Sequence, residues 1–232
     1  MKFPPLSNRL RACCDFVKPG DRVADIGCDH GYLGISLLLK GIAGFVIAAD
    51  VNQQPLDSAV FNARKYAVSD RISFYLSDGV RNIPRDFDTM VCAGMGADTI
   101  MSILDAAPWL KDARYRLILQ CQSRRPELRE HLSKNGFSIL AETLAQDGKF
   151  IYPVMEVRYS PSEPLSPGEC HIPPALIATG SPLLPAFYDR VIEGLRTTVE
   201  GLSRVGGEKY EHYRAVLHEL LEMEDRIHGN RF

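Results

Sequence analysis

No C-x-x-C pair occurs in this 232-residue chain, and its six cysteines, at 13, 14, 28, 92, 121 and 170, have no histidines at matching spacing. A disulfide framework and a zinc site are both disfavoured, and scattered thiols of this kind suit buried positions in a reducing compartment. No uninterrupted apolar run approaches the ~18 residues that a membrane-spanning helix needs, and Met1–Ser7 has no apolar signal core. These absences predict a cytoplasmic protein with no membrane partner and no bound metal. An excess of charge of one sign is missing too: 27 Lys+Arg face 29 Asp+Glu, a net charge of −2. Any polyanion would have to be held by local patches, not by the overall field. The balance is uneven, with 20 basic against 18 acidic residues up to Tyr159 and 7 against 11 beyond it. Internal repeats are absent, and so is the dinucleotide fingerprint G-x-G-x-x-G, which disfavours a nicotinamide oxidoreductase. What remains is an ordinary globular composition, 45% hydrophobic and 24% charged, with room for roughly one to two domains at ~150 residues each.

The stretch that stands out is Val23–Ala24–Asp25–Ile26–Gly27–Cys28–Asp29–His30–Gly31–Tyr32–Leu33. It reads as a buried strand, a glycine turn and the first turn of a helix, the element where backbone N–H groups face a nucleotide-like ligand. The acidic-x-G-x-x-x-G spacing resembles motif I of class I S-adenosylmethionine (SAM) methyltransferases. Most of those have glycine where Asp29 stands. A carboxylate at a place of close backbone approach costs room and charge, so a role for it is expected.

In chain order, Leu6 to Val17 shows helical spacing with Ser7 as a possible cap, and Arg22–Ile26 is the first strand. Helix is expected from Tyr32 to Lys40, and Gly44–Ala49 is a near-continuous apolar strand of the kind covered on both faces. A helix through Leu56–Tyr66 follows, then strands at Ile72–Leu76, Asp88–Ala93 and Arg116–Gln120, with helices after the last two. Phe137–Leu144 and Phe150–Tyr159 form a hairpin around Asp147–Gly148. The expected fold class is therefore α/β, a doubly wound, mostly parallel Rossmann-like sheet with an antiparallel edge hairpin and a C-terminal helical hairpin. The expected units are residues 1–159 as the sheet domain, a proline-rich connection at 160–185, and two amphipathic helices over 186–232. Seven of the fifteen prolines fall between Ser160 and Pro185, so regular structure is expected to be scarce there.

Asp50, at the end of the second strand, sits where an acid accepts hydrogen bonds from ribose hydroxyls; the alternative is an acid capping the next helix. Asp78 and Gly79 end the third strand, where SAM enzymes often set an acid beside the adenine amino group. At the end of the fourth, an (Asp/Asn)-Pro-Pro-aromatic tetrapeptide and a Pro-Cys nucleophile are both missing. Ala93–Gly94–Met95–Gly96 stands there, a small-residue loop with room for a planar ring. Cys92 reads as a core thiol.

With Ala24–Asp25–Ile26–Gly27-x-Asp29–His30-x-Tyr32–Leu33, Ala93–Gly94–Met95–Gly96, Leu117–Ile118–Leu119–Gln120 and Asp147–Gly148–Lys149–Phe150 all present, the chain resembles the bacterial family of tRNA (adenine(22)-N(1))-methyltransferases. The likeness covers about residues 5–159 and continues weakly into the tail. It implies a seven-stranded methyltransferase domain with a C-terminal helical hairpin, SAM as cofactor and tRNA as partner. Cofactor contacts are expected from Asp25, Gly27, Cys28, Gly31, Tyr32, Asp50, Val51, Asp78, Gly79, Ala93, Gly94, Met95 and Gly96. Asp29 is the leading catalytic candidate, as acceptor of a hydrogen bond from the adenine amino group, and His30 is second, as an orienting or proton-relaying neighbour. Arg9, Arg11, Arg124, Arg125 and Lys149 are candidate RNA contacts, with a solvated basic face as the alternative for each.

The chain departs from the family at Cys28 (usually serine), Gly34 (proline), Ala97 (glycine) and Cys121 (proline). Cys121, at the mouth of the fifth strand, is the departure expected to reshape the substrate edge. Two alternatives remain open at this level: a SAM methyltransferase for another RNA or a small molecule, and a SAM- or RNA-binding module without turnover. Monomer and homodimer are both compatible with the pattern.

Overall fold

The computed structural model describes residues 3–228. Ser7 begins the first helix, α1 (Asn8–Asp15), its hydroxyl accepting from the Leu10 N–H. The sheet domain then alternates: β1 (Arg22–Ile26), α2 (Tyr32–Leu39), β2 (Phe45–Asp50), α3 (Gln53–Lys65), β3 (Ile72–Leu76), β4 (Thr89–Met95), α4 (Ala97–Asp105), β5 (Arg116–Cys121), α5 (Arg125–Lys134), β6 (Phe137–Asp147) and β7 (Phe150–Tyr159). The seven strands form one sheet in the order β3-β2-β1-β4-β5-β7-β6. β1 to β5 run parallel; β7 pairs antiparallel with β5 on one side and β6 on the other. The antiparallel strand therefore lies one place in from the edge, and β6 forms the edge itself. The register of the hairpin, with Asp147 opposite Phe150, leaves Gly148 in the left-handed turn position that the Asp-Gly pair predicts.

Strand β2 is apolar along its length because both of its faces are covered: Val46, Ile47, Ala48 and Ala49 are all buried. Ile47 and Ala49 join the core under α4 and α5, while Val46 and Ala48 join the core under α2 and α3. Reversal of strand order occurs between β1 and β4, so the carboxyl ends of these two strands open a crevice, the place where ligands bind in open α/β sheets.

Past the hairpin the expectation of scarce structure fails. The proline-rich segment holds two short helices, α6 (Pro167–His171) and α7 (Pro174–Ala178). Their prolines stand in the first helical turn, where a missing N–H costs nothing and a fixed φ favours the helix, so they start helices instead of breaking them. Ser166 and Glu169 complete a reciprocal capping box on α6.

Two longer helices, α8 (Leu184–Ser203) and α9 (Glu208–Glu222), make the antiparallel hairpin, with α10 (Glu224–His228) turning back onto α8. The tail is not free of the sheet. Its core, built on Ile172, Leu176, Phe187, Tyr188, Val216 and Leu220, also takes in Leu144 of β6 and Ile151 of β7. A buried ion pair between Arg129 of α5 and Glu142 of β6 reinforces the joint, and Arg129 also donates to the carbonyl of Cys170 at 2.9 Å. No helix among the described residues is long and apolar enough to cross a membrane.

Candidate active site

The crevice at the carboxyl ends of β1, β2 and β4 is a cavity of about 440 Å³. Its floor is the predicted turn. Gly27 and Gly31 have φ of +69° and +70°, and Asp29 between them has φ of +50°. A left-handed residue explains why glycine is usual at position 29, and Asp is among the few side chains that tolerate that conformation. A Cβ on Gly27 would stand 2.4 Å from the end of the Met95 side chain, which is flexible enough to move aside, so the positive φ is what favours glycine there. Gly31 begins α2 close against α3, where a Cβ would meet that of Ala59 at 3.0 Å.

Asp50 pins this turn. One carboxylate oxygen accepts from the Asp29 N–H at 3.1 Å and the other from the Asn52 N–H at 2.9 Å. Asp50 is buried yet lines the cavity, and each of its oxygens keeps a free lone pair for a ligand hydroxyl. Asp25 is deeper. It accepts from the Gly34 N–H at 3.2 Å, a bond that a proline at this position could not donate. Burial pushes its carboxyl up to about 7, and the charge of Asp50 adds to that, against the opposing pull of the Gly34 N–H. Asp29 and His30 stand at the opening, both more than half exposed, 3.7 Å apart, with His30 tilted against Tyr32.

The opposite wall is the end of β4. A bulge between Ala93 and Met95 turns the strand outward, with Gly94 at φ +82°. Gln120 of β5, fully buried, organises this wall: its side-chain oxygen accepts from the Gly94 N–H at 3.1 Å and from the Arg9 guanidinium at 2.9 Å. Arg9 thus reaches from α1 into the cavity, close against Gly94.

Among the proposed cofactor contacts, Asp25, Gly27, Cys28, Tyr32, Asp50, Val51, Asp78, Gly79, Ala93, Gly94 and Met95 all line the cavity, with Asp29 and His30. Gly31 and Gly96 act one step back, as the residues that begin α2 and α4. Cys28 is a wall, its thiol pushed up by burial. Cys92 is in the core, as expected. Cys121 does not sit at the cavity: it is fully buried, its thiol donates to the Ser123 carbonyl at 2.9 Å, and the expected influence on the substrate edge finds no support there. Ser77, Thr99 and Ile103 line the cavity without a sequence signal, since they are ordinary residues brought in by the turn after β3 and by α4.

The five candidate RNA contacts do not share one place. Arg9 is in the cavity, and Arg11 is exposed on α1. Arg124 pairs with Asp98 at 2.7 Å and Glu127 at 3.2 Å. Arg125 lies over the Phe187 ring at 5.2 Å, and the Lys149 ammonium over Phe150 at 5.3 Å. Among the described residues no group of three or more His, Cys, Asp or Glu is placed to hold a metal.

Residues 6–155 match the family described as methyltransferase domain. The tRNA (adenine(22)-N(1))-methyltransferase of Bacillus subtilis is 34% identical over 146 residues, 62% of this chain and 61% of that protein. The chain thus aligns with about three fifths of the length of the curated tRNA methyltransferases it matches. Among solved structures, the B. subtilis m1A22 tRNA methyltransferase TrmK superposes with a TM-score of 0.78 at 25% identity, covering 97% of both chains. A Streptococcus pneumoniae protein in complex with S-adenosyl-L-methionine gives 0.79 at 29% identity, covering 92% of this chain and 100% of that one.

Proposed function

The chain belongs to the methyltransferase-domain family, and from that premise we propose that it transfers a methyl group from SAM to N1 of an adenine in tRNA, at position 22. The observation that carries the reading is the pairing of two walls across one cavity: the Asp50-pinned turn that presents Asp29, and the bulged end of β4, Ala93–Met95, that leaves space for a planar base. Likeness to the B. subtilis enzyme over nearly the whole of its solved structure supports the choice of acceptor.

The cavity fits the cofactor. Gly27 lets the backbone approach it, Gly31 lets α2 start close against α3 behind the turn, Asp50 offers free lone pairs to ribose hydroxyls, and Asp78 is the acid for an adenine amino group. SAM supplies an electrophilic methyl group. Adenine N1 carries an in-plane lone pair, so no covalent link to the protein is needed. Asp29, exposed at the opening, accepts a hydrogen bond from the N6 amino group of the entering base and opposes the positive charge that grows on the ring. His30 beside it orients that carboxylate. Holding N1 in line with the methyl group supplies the rest, an effect worth up to ~7–11 kcal/mol. Adenine 22 of a folded tRNA must be exposed before it can enter, so local opening of the RNA is part of binding.

The test is methyl transfer from labelled SAM to unmodified total tRNA, followed by nuclease digestion. Recovery of 1-methyladenosine is expected. Recovery of a different methylated nucleoside, or no incorporation while SAM binding is measurable by calorimetry, would overturn the acceptor and keep the fold.

A further inference from the structure

A second groove, of about 570 Å³, opens between β7, the start of α5 and one face of α8. Its chemistry is unlike that of the tail around it. The region beyond Tyr159 is acidic overall, yet the described residues lining the groove include two arginines, a histidine and four aromatic rings, and no carboxylate. Both arginines are held by backbone carbonyls of the hairpin. Arg190 donates to the Lys149 carbonyl at 2.7 Å, and Arg125 points toward the Ile151 carbonyl at 3.5 Å while stacking on Phe187. Bonds of this kind fix the position of a guanidinium without neutralising it. Phe150, about half exposed, and Tyr152 stand side by side along one wall, ring centroids 6.1 Å apart.

The groove adjoins the active-site cavity through Gln122. Gln122 is in its wall, while the Gln122 N–H donates to the Met95 carbonyl at 2.9 Å and its amide lies beside Gly94. An acceptor strand whose target base enters over Gly94 and Met95 would have its neighbouring residue within reach of the groove. Fixed cations with exposed aromatic faces are the combination that holds single-stranded nucleic acid, phosphate on the guanidinium and base on the ring.

We propose that this groove is a nucleotide subsite for a residue adjoining the methylated adenine, with Arg125 and Arg190 holding its phosphate and Phe150 and Tyr152 stacking its base. The proposal rests on the tRNA methyltransferase reading and adds a second, separate point of contact. It also gives the helical tail a role in substrate binding, since α8 supplies one wall of the subsite and its docking onto the hairpin holds that wall opposite β7.

Gly194 of α8 lines the groove, and a Cβ there would meet nothing within 4 Å. Gly194→Glu therefore places a negative charge in the subsite on a helix that a non-glycine residue stabilises, so a loss cannot be put down to unfolding. In the full-length protein, Gly194→Glu should raise the KM for tRNA at least tenfold with the Kd for SAM unchanged, and the neutral Gly194→Gln should raise it much less. Arg190→Gln should lower the slope of log affinity against log salt by about 0.7–0.9, one phosphate contact, and Arg190→Lys should restore it. Phe150→Ala should weaken tRNA binding without changing that slope.

Wild-type KM and salt slope in both Gly194→Glu and Arg190→Gln, from an enzyme that methylates tRNA, would overturn the subsite and leave the function standing. If the wild type transfers no methyl group to tRNA, the function fails, and the groove is read by fluorescence anisotropy with a labelled trinucleotide, r(UAU). Weakening of that probe by Gly194→Glu keeps the subsite; binding indifferent to the substitution, absent, or displaced as completely by inorganic pyrophosphate as by AMP removes it.

Discussion

The two clefts of this molecule are built by opposite means. Backbone makes the first: left-handed turns at Gly27, Asp29, Gly31 and Gly94 aim N–H groups and remove side-chain bulk, and most of its polar contacts lie within or beside short contiguous motifs. Long side chains from distant segments make the second, with Arg125, Tyr152, Phe187, Arg190 and Tyr213 meeting across α5, β7, α8 and α9. Burial also acts with opposite sign on the titratable group in each. It raises Asp25 to about 7 beneath the first cleft and, with help from Arg129, lowers His171 to about 4 beside the second. Each of these two buried groups is driven toward its neutral form. A cleft made of backbone is written in local sequence. One made of side chains depends on how the elements dock.

The sharpest way to break the first cleft without unfolding it is Asp29→Asn, because asparagine also tolerates the left-handed backbone at this position. Turnover should fall by ~10²–10⁴, the range for a positioned acid-base group, with the SAM affinity and the thermal midpoint close to wild type. Turnover within a few-fold of wild type would remove Asp29 from the mechanism.

For the joint beside the second cleft the comparable lesion is Arg129→Met. It strands Glu142 in the core and frees the carbonyls of Cys170 and His171. Equilibrium unfolding in urea should report a loss of about 3–5 kcal/mol, and the double variant Arg129→Met/Glu142→Leu should recover most of it, since a buried pair replaced by apolar groups is often neutral. Equal losses in the single and double variants would mean that the carbonyl contacts of Arg129, not the charge pair, hold the joint.

How much of each cleft could be read in advance follows the same division. The turn at Gly27–Gly31 and the ends of β2 and β3 were legible because each is a run of adjacent residues with one geometric solution; Ala93–Met95 was read as a loop and is the bulged end of β4. Gln120 was visible only as part of a strand motif; its place as the shared acceptor for Gly94 and Arg9 requires β4, β5 and α1 to be assembled. Cys121 looked like a substrate-edge residue because it ends a strand, yet the final pleat points its thiol inward. The prolines after Tyr159 read as breakers, and the signal that would have corrected them was Ser166–Pro167-x-Glu169, a capping box with proline in its first turn. The docking of the tail had no local signature. Arg129 and Glu142 are thirteen residues apart and Cys170 lies 41 from Arg129, and only the fold places them together.

The opposed pKa shifts give the comparison a pH axis. Asp25 holds its proton to higher pH in the folded chain than in the unfolded one, so its contribution to stability falls as pH rises from about 4 to about 7, by at most ~1.4 kcal/mol per pH unit. His171 resists protonation when folded, so its contribution falls as pH drops from 6.5 toward about 4. The two partly cancel in the same window. Thermal midpoints measured across pH 4–8 should separate them. Asp25→Asn, which keeps an acceptor for the Gly34 N–H, should give a profile that rises with pH relative to wild type. His171→Asn should give one that falls. Parallel profiles in all three proteins would mean that neither burial survives in solution.

The smallest expected effect lies where the two regions touch. Helix α1, which delivers Arg9 to the first cleft, is capped twice: by Ser7, whose hydroxyl accepts the Leu10 N–H at a long 3.4 Å, and by Asp147 of the hairpin turn, whose oxygens accept the Asn8 N–H at 2.8 Å and the Arg9 N–H at 3.2 Å. A cap is worth ~0.5–2 kcal/mol, and the shorter, charged bonds belong to Asp147, which also adds its charge at the positive end of the helix. Ser7→Ala should therefore sit at the low end of that range, near ~0.5 kcal/mol, and Asp147→Asn should cost more. The two should also differ in kind. Loss of Asp147 loosens the end of α1 from which Arg9 reaches Gln120, so it should lower turnover as well as stability, whereas Ser7→Ala should touch stability alone. Equal effects of the two substitutions on turnover would show that Arg9 is placed by the packing of α1 on the sheet, with the hairpin turn adding nothing to the cleft.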